Sequence, residues 1–530
     1  MKKKTWIWLG LFLALFIYYF MVPVNIFWDT GHYTSFVAIF EGKLPWSSWD
    51  IVRGPVFPLL LYIGNFLFGK TTQGILILTF LFYITMLIVV KKILDNCLTI
   101  KNEKNKKIVY SLIFVVLIVD PIIYGYYHAL LTEFVAMTIS LMMCYLSWKW
   151  LDISFCENKK RYLIYSLIFF IGTIISWHLK QPYVTITIFP VIISSIISII
   201  KNHNVKNIVQ RGTTVISCIV GLVASIFLWN QFLVSKGINL NTDRNVTASF
   251  GNQLMIGLNN YEIIKDFNQT ELLNSKLLSN KEKKLLNNKK QNYYLININN
   301  LKGKTIGQKL ILLDENNNIS TTTSILFILK QLLEHPYLVL ESYTSNYLAI
   351  ANIYPKETND GVSYQVAKEF SLSYCHENCS IAVSVASKKS NISYMLDDAY
   401  QRVISYEQYN NSPIYIRYML KGTSYVTTNL YKLILLILPF LSIFSIISFA
   451  KNNNDNRKML SMVLILFWYS FLHILVHVAT GANIDRYASP AYITTIIGII
   501  IYLYYFINKR NIEVKRSDKN EKHKQRRNKR

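Results

Sequence analysis

Apolar runs of about twenty residues recur from one end of the chain to the other, and no other feature limits its fold as strongly. Such a run crosses a hydrocarbon core of about 30 Å as a helix. Lipid offers an unpaired backbone no partner, so a spanning segment is helical or belongs to a closed barrel. The runs lie at about 6–24, 72–90, 108–123, 131–149, 162–178, 183–200, 212–232, 430–449, 459–479 and 488–507. Barrel strands need only about 9–11 residues, so runs of this length point to helices. Hydrophobic residues fill 52% of the 530 positions, which excludes a water-soluble enzyme. The expected fold class is an all-α polytopic membrane protein with about ten transmembrane helices.

A formal net charge of +26 points first to nucleic acid, but its placement points to topology. Lys91-Lys92 through Lys106-Lys107, the Lys159-Lys160-Arg161 loop, Lys201–Arg211, Lys451–Lys458 and the tail Lys509–Arg530 share one side when the spans alternate. The opposite connections around Asp120–Glu133, Lys180 and Asp485-Arg486 are nearly free of Lys and Arg. Cytoplasmic loops carry the basic excess, so both termini are expected in the cytoplasm of a multi-pass plasma-membrane protein. The tail carries no aromatic residue among its cations, unlike single-strand binders. Anionic lipid headgroups are its expected partner, and nucleic acid is not. Met1-Lys2-Lys3-Lys4 and the apolar stretch after it resemble a signal peptide. Tyr18–Pro23 is bulky throughout, however, so the first span is expected to be retained.

The chain then divides into an N-terminal transmembrane module over 1–232, with a first outer loop at 25–71, and a hydrophilic extracytoplasmic insert at 233–428. The insert joins the seventh and eighth spans; C-terminal spans follow over 429–507, then a basic tail at 508–530. Val56–Phe68 is too short to cross comfortably and reads as interfacial or re-entrant. Lys281–Lys290 leaves the topology intact, because long translocated domains are exempt from the charge rule. The spacing over Ser324–Leu340 predicts an amphipathic helix packed on the membrane portion. Cys375 and Cys379, in Cys-His-Glu-Asn-Cys, lack the second pair a zinc site needs and are expected to form a local disulfide.

Ionisable groups gather at the expected outer ends. Asp29, His32 and Tyr33 follow the first span, and Arg53 closes the first loop. Asp120 ends the third span; His128 and Glu133 open the fourth; His178 and Lys180 lie at the fifth-to-sixth turn. His473 and His477 stand one helical turn apart near the end of the ninth span, and Asp485-Arg486-Tyr487 precedes the tenth. Singly, a loop-end charge is often just solvated and a buried His often just satisfies a carbonyl. Charged groups at membrane depth are costly, however, and their joint placement marks a functional site.

A carboxylate and cations at a membrane lip suit group transfer from a lipid-borne phosphate ester to a hydroxyl. A general base must reach the acceptor hydroxyl, and cations must neutralise the departing phosphate, a task the forked guanidinium fits well. Because the leaving group is a monophosphate ester, no metal or other cofactor is chemically required.

Four elements carry a family resemblance: Trp28-Asp29-Thr30-Gly31-His32-Tyr33 with Arg53-Gly54-Pro55, Leu130-Leu131-Thr132-Glu133, His178-Leu179-Lys180-Gln181-Pro182, and Arg486-Tyr487-Ala488-Ser489-Pro490. In order and sidedness they resemble motifs of the GT-C glycosyltransferases, in particular the bacterial relatives of protein mannosyltransferases and aminoarabinose transferases. The resemblance implies an inverting transferase with a GT-C-like fold and catalytic residues Asp29 and Glu133. Asp29 is the base, oriented by His32 or assisted by Glu133. Arg53, Lys180 and Arg486 hold the donor phosphate; His32, Tyr33, His178 and Tyr487 contact substrate. Many relatives carry a second acidic residue where Thr30 stands, and place a cation directly before the proline where Gln181 stands. Asp50 falls outside the Asp29–Tyr33 element and is expected to be uninvolved.

The implied partners are a polyprenyl-phosphate-linked sugar donor and a glycan, lipid or protein acceptor. Two alternatives share the composition. A cell-envelope polysaccharide polymerase or ligase would place working Arg and His in its large outer loop, where Arg244, Arg402 and Arg417 are scattered. A lipid-linked glycan transporter would show paired broken spans or an inverted repeat, and neither is visible.

Overall fold

The computed structural model describes residues 3–21, 28–70, 72–100, 102–155, 158–201, 204–240, 250–258, 321–351, 414–451, 456–480 and 485–528. All regular structure among them is helical. The N-terminal helices are α1 (Lys3–Phe20), α2 (Trp28–Phe40), α3 (Val56–Phe68), α4 (Thr72–Cys97), α5 (Glu103–Val119) and α6 (Pro121–His128). Next come α7 (Glu133–Trp150), α8 (Lys159–Leu179), α9 (Thr185–Lys201) and α10 (Val205–Ser235). The insert contributes α11 (Phe250–Leu258), α12 (Thr321–Glu334) and α13 (Pro336–Ile350); the C-terminal part is α14 (Ile414–Lys451), α15 (Arg457–Ala479) and α16 (Ser489–Asn528).

A helix lies over each of the ten apolar runs. Seven are long and apolar enough to cross a membrane, from Gln73–Cys97 to Ser489–Lys509, so the chain is a polytopic membrane protein. The third run is a bent pair: α5 and α6 meet at 55°. Pro121 causes the break, since it lacks an N–H and disfavours helical geometry in the residue before it. Asp120 makes the break stable. Its Oδ1 accepts from the amides of Ile122 (2.8 Å) and Ile123 (3.2 Å), and its Oδ2 accepts from the Tyr492 hydroxyl at 2.7 Å. The carboxylate thus caps α6 and ties it to α16. α1 and α7, at 18 residues each, cover the first and fourth runs, near the short end of the spanning range.

α15 is the core of the bundle. It is buried from Met459 to Val478 with little interruption and packs on α9, α14 and α16, as expected of a helix apolar on every face. α10 is peripheral: Ile216, Val220, Val223, Phe227 and Leu228 present an open apolar face. In a bilayer that face costs nothing, because lipid tails are as apolar as leucine.

The charged connections collect at two ends of the bundle. At one, Lys201 (3.8 Å) and Lys458 (3.5 Å) converge on Asp152, and Lys149 donates to Asn96 at 2.6 Å. Beside them the buried Arg211 guanidinium donates to the carbonyls of Trp150 (3.0 Å), Leu151 (3.2 Å) and Ile153 (2.9 Å), satisfying acceptors that the end of α7 leaves open. Three of the predicted basic connections, at 91–107, 201–211 and 451–458, therefore meet at one end.

In the insert, the amphipathic stretch is two helices, because Pro336 cannot continue α12. α12 packs on α11 and α13, whereas α13 reaches the spans: the Asn346 amide donates to Val478 O at 3.1 Å and the Tyr347 hydroxyl to Leu435 O at 2.5 Å. The anticipated contact with the membrane portion thus falls to α13 rather than α12. Cys375 and Cys379 lie outside the described residues, so their pairing stays an expectation.

Candidate active site

A cavity of about 320 Å³ opens at the end of the bundle opposite Asp152. Six parts of the chain wall it: Tyr33 of α2, Val52 and Arg53 of the following loop, Trp177, Leu179 to Pro182 and Val184 around the end of α8, Phe250 and Gln253 of α11, Val476 and Thr480 of α15, and Tyr487 before α16. Helix termini dominate this wall. Residues more than 450 positions apart meet there because alternate connections of an antiparallel bundle share an end.

Lys180 lies within it, half-buried, with Nζ 3.7 Å from Glu133 Oε1 and 4.0 Å from the centroid of the Tyr487 ring. The Glu133 carboxylate is fully buried at the first turn of α7 and accepts from the Thr132 hydroxyl at 3.3 Å. A separation of 3.7 Å is too long for a hydrogen bond, so the attraction is Coulombic, and it counts for more here than in water. The ring face adds a cation–π contact.

Arg53 is the second cation. Its Nε stands 3.4 Å from Asp50 Oδ2, and its guanidinium lies 5.1 Å from the Tyr33 ring centroid. The Trp49 indole donates to Arg53 O at 3.1 Å, which fixes the loop from within. The loop also presses on the end of α8, where a Cβ at Gly54 would collide with the carbonyl of His178. Only glycine permits that backbone approach. Asp50, which lies outside the Asp29–Tyr33 element, is thus a partner of Arg53.

Two histidines support Tyr487 from behind. His473 Nε2 donates to Tyr487 O at 2.8 Å, and its Nδ1 then accepts from Thr185 Oγ1 at 2.6 Å. A carbonyl can only accept, which assigns the tautomer. His477 stacks on the Tyr487 ring at 5.0 Å between centroids. His473 thus joins α15, α9 and the turn carrying Tyr487.

The sequence-predicted residues distribute as follows. Tyr33, Arg53, Lys180 and Tyr487 line the cavity, and Glu133 stands behind Lys180. His178 does not: its Nε2 meets Ser225 Oγ at 3.3 Å and its ring approaches Trp229, so it joins α8 to α10. Adjacent helix positions differ by about 100°, and Trp177, one residue earlier, takes the cavity face. Asp29 and His32 occupy the first turns of α2, and Arg486 the turn beside Tyr487; the side chains of these three lie outside the described residues. Asp29 stands one helical turn before Tyr33. Asp120 and His128 belong to the packing instead; the His128 ring lies between the carbonyls of Tyr124 and Tyr19, at 2.9 Å from each. No group of three or more His, Cys, Asp or Glu side chains converges among the described residues.

Trp177, Phe250 and Gln253 were not singled out from the sequence. A Trp near a span end reads as an interfacial anchor, and Phe250 sits in an insert without landmarks. No protein-family model, curated protein or solved structure matches the chain.

Proposed function

We propose that this protein is an integral-membrane glycosyltransferase that moves a sugar from a polyprenyl-phosphate donor to an acceptor at the outer face of the cell membrane. The observation that carries the reading is the pairing of Arg53 and Lys180 on the wall of one cavity at the non-basic end of the bundle. Cations at such a depth need a reason. A lipid-borne phosphate supplies one, since its head reaches the cavity while its chain stays in the bilayer.

In this reading the acceptor hydroxyl attacks the anomeric carbon from the face opposite the phosphate. The carbon–oxygen bond to phosphate breaks and its electron pair leaves with the phosphate. The hydroxyl proton passes to Asp29, which the register of α2 puts one turn from Tyr33 on the cavity wall. Single displacement inverts the anomeric centre. Arg53, Lys180 and Arg486 receive the leaving charge, and the carboxylates of Asp50 and Glu133 keep the first two cations compensated before the donor arrives. The tail beyond Lys509 lies against anionic headgroups in the cytoplasm, and the termini share that side. The test is transfer of radiolabelled sugar from a polyprenyl-phosphate donor by sealed vesicles carrying the chain, with donor supplied to the outer face. Absence of transfer across a panel of donor sugars would remove the proposal.

A further inference from the structure

At the basic end of the bundle three helices bring ammonium groups together around one carboxylate. Lys149 stands in the last turn of α7, Lys201 ends α9 and Lys458 opens α15. Lys201 and Lys458 share Asp152 at 3.8 and 3.5 Å. The ammoniums of Lys149 and Lys458 lie 5.0 and 5.4 Å from the centroid of the Trp148 ring. Arg161 acts electrostatically on Lys149, and Arg457 on Lys201. Among the described residues, Asp152 is the one carboxylate within ion-pair distance of these five cations. Its side chain is 53% exposed, so it offsets little of their mutual repulsion. The group is short of an anion.

The backbone holds the cluster in shape. Arg211 closes on the carbonyls of Trp150, Leu151 and Ile153 and so sets the turn that carries Asp152. The Trp148 indole donates to Lys458 O at 2.9 Å and ties α15 to α7. A frame that keeps its spacing without a ligand lowers the ordering cost of binding one. The surroundings indicate which anion fits. Lys201 and Lys458 lie at the ends of spanning helices, at the level of the lipid headgroups. Ile196 and Ile200, in the last two turns of α9, are 51% and 49% exposed. A soluble anion would use the cations alone. A phospholipid uses both, with its phosphate on the ammoniums and an acyl chain along the isoleucines.

We propose that Lys149, Lys201 and Lys458 form a binding site for the headgroup of an anionic phospholipid, separate from the basic tail and from the cavity at the other end. The lipid phosphate competes with Asp152 for Lys201 and Lys458 and ties the ends of α7, α9 and α15. The opposite ends of these helices carry Glu133, Thr185 and His477. The site stands whether or not the protein transfers sugar.

The experiment uses the full chain in detergent, titrated with dioleoyl phosphatidylglycerol or dioleoyl phosphatidylcholine, with bound lipids counted by native mass spectrometry. The expected result is one phosphatidylglycerol held about tenfold more tightly than phosphatidylcholine. Lys201→Gln and Lys458→Gln should each weaken it about fivefold, the effect of one ammonium beside an anionic headgroup. Asp152→Asn, which removes the competing carboxylate, should tighten it. Arg526→Gln with Arg527→Gln, in the tail, should leave it unchanged. Thermal midpoints equal to wild type in phosphatidylcholine show that the variants are folded, and Lys458, 59% exposed, is the safest site to change. Equal binding of the two lipids overturns the site, as does a preference that survives the loss of both lysines or is lost with the tail arginines instead. Displacement of the lipid by an equal concentration of inorganic phosphate would assign the cluster to a soluble anion and overturn it as well.

Discussion

The ammonium of Lys180 is held 3.7 Å from the fully buried carboxylate of Glu133, across the gap between the end of α8 and the start of α7. A buried pair of this kind adds little net stability, but removing one member strands the other in a medium that penalises it. Glu133→Gln and Lys180→Met should each lower the thermal midpoint, and the double variant should be milder than their sum. A coupling of about 1–3 kcal/mol is expected from a double-mutant cycle in detergent. Simple additivity would mean that the two charges do not interact.

Gly54→Ala tests the seating of the Arg53 loop. The added methyl has no room against the His178 carbonyl, so the loop must move outward and carry Arg53 with it. Misplacing a working group by about 1 Å can cost about 10²-fold. Sugar transfer should fall on that order while the helical circular dichroism of the bundle is retained. Transfer equal to wild type would show that the loop position is not critical.

Asp50→Asn removes the counter-ion of Arg53, whose side chain is 16% exposed. With the Asp50 side chain 8% exposed the pair is largely shielded from solvent, and removing one partner of a buried charged contact costs about 1–3 kcal/mol. The expected effect on transfer is a fall of about tenfold. Asp50→Ala should behave like Asp50→Asn if charge is what matters; a large gap between the two would point to the bond from Val52 N to Asp50 Oδ1 instead.

Tyr492→Phe addresses the bend between α5 and α6. It takes the hydroxyl from the buried Asp120 carboxylate and leaves the two amide bonds in place. Losing a donor to a buried charged acceptor costs about 1–3 kcal/mol. The thermal midpoint should fall with no selective effect on donor binding. An unchanged midpoint would show that the link from α6 to α16 contributes nothing.

Much of this was legible in the chain because two strong signals carry it. Apolar length placed a helix over every expected run, and the segregation of Lys and Arg grouped the ends that meet at Asp152 and those that meet at Lys180. The convergence of Tyr33, Arg53, Lys180 and Tyr487 follows from that grouping. Rotation about a helix axis did not follow, because it is set by packing: His178 faces Ser225 and Trp177 faces the cavity, though both are one residue or so from the same span end. The roles of Gly54 and Asp50 depend on a loop path that no periodic pattern encodes. The pair Asp50 and Arg53, three residues apart, was nevertheless a readable hint. The seat of α11, which brings Phe250 and Gln253 to the cavity, depends on Ser324, Ser342 and Asn346, polar residues that nothing in the sequence distinguishes from their neighbours in the insert.

The most direct measurement is single-turnover transfer by the purified chain in proteoliposomes, following both labelled sugar and free polyprenyl monophosphate. Wild type should release one monophosphate for each sugar transferred. Asp29→Asn should slow the step by about 10²–10⁴-fold without weakening donor binding, as loss of a general base does. Lys180→Ala should weaken donor binding and slow release together. Near-normal turnover by Asp29→Asn, or sugar transfer with no monophosphate released, would contradict the account.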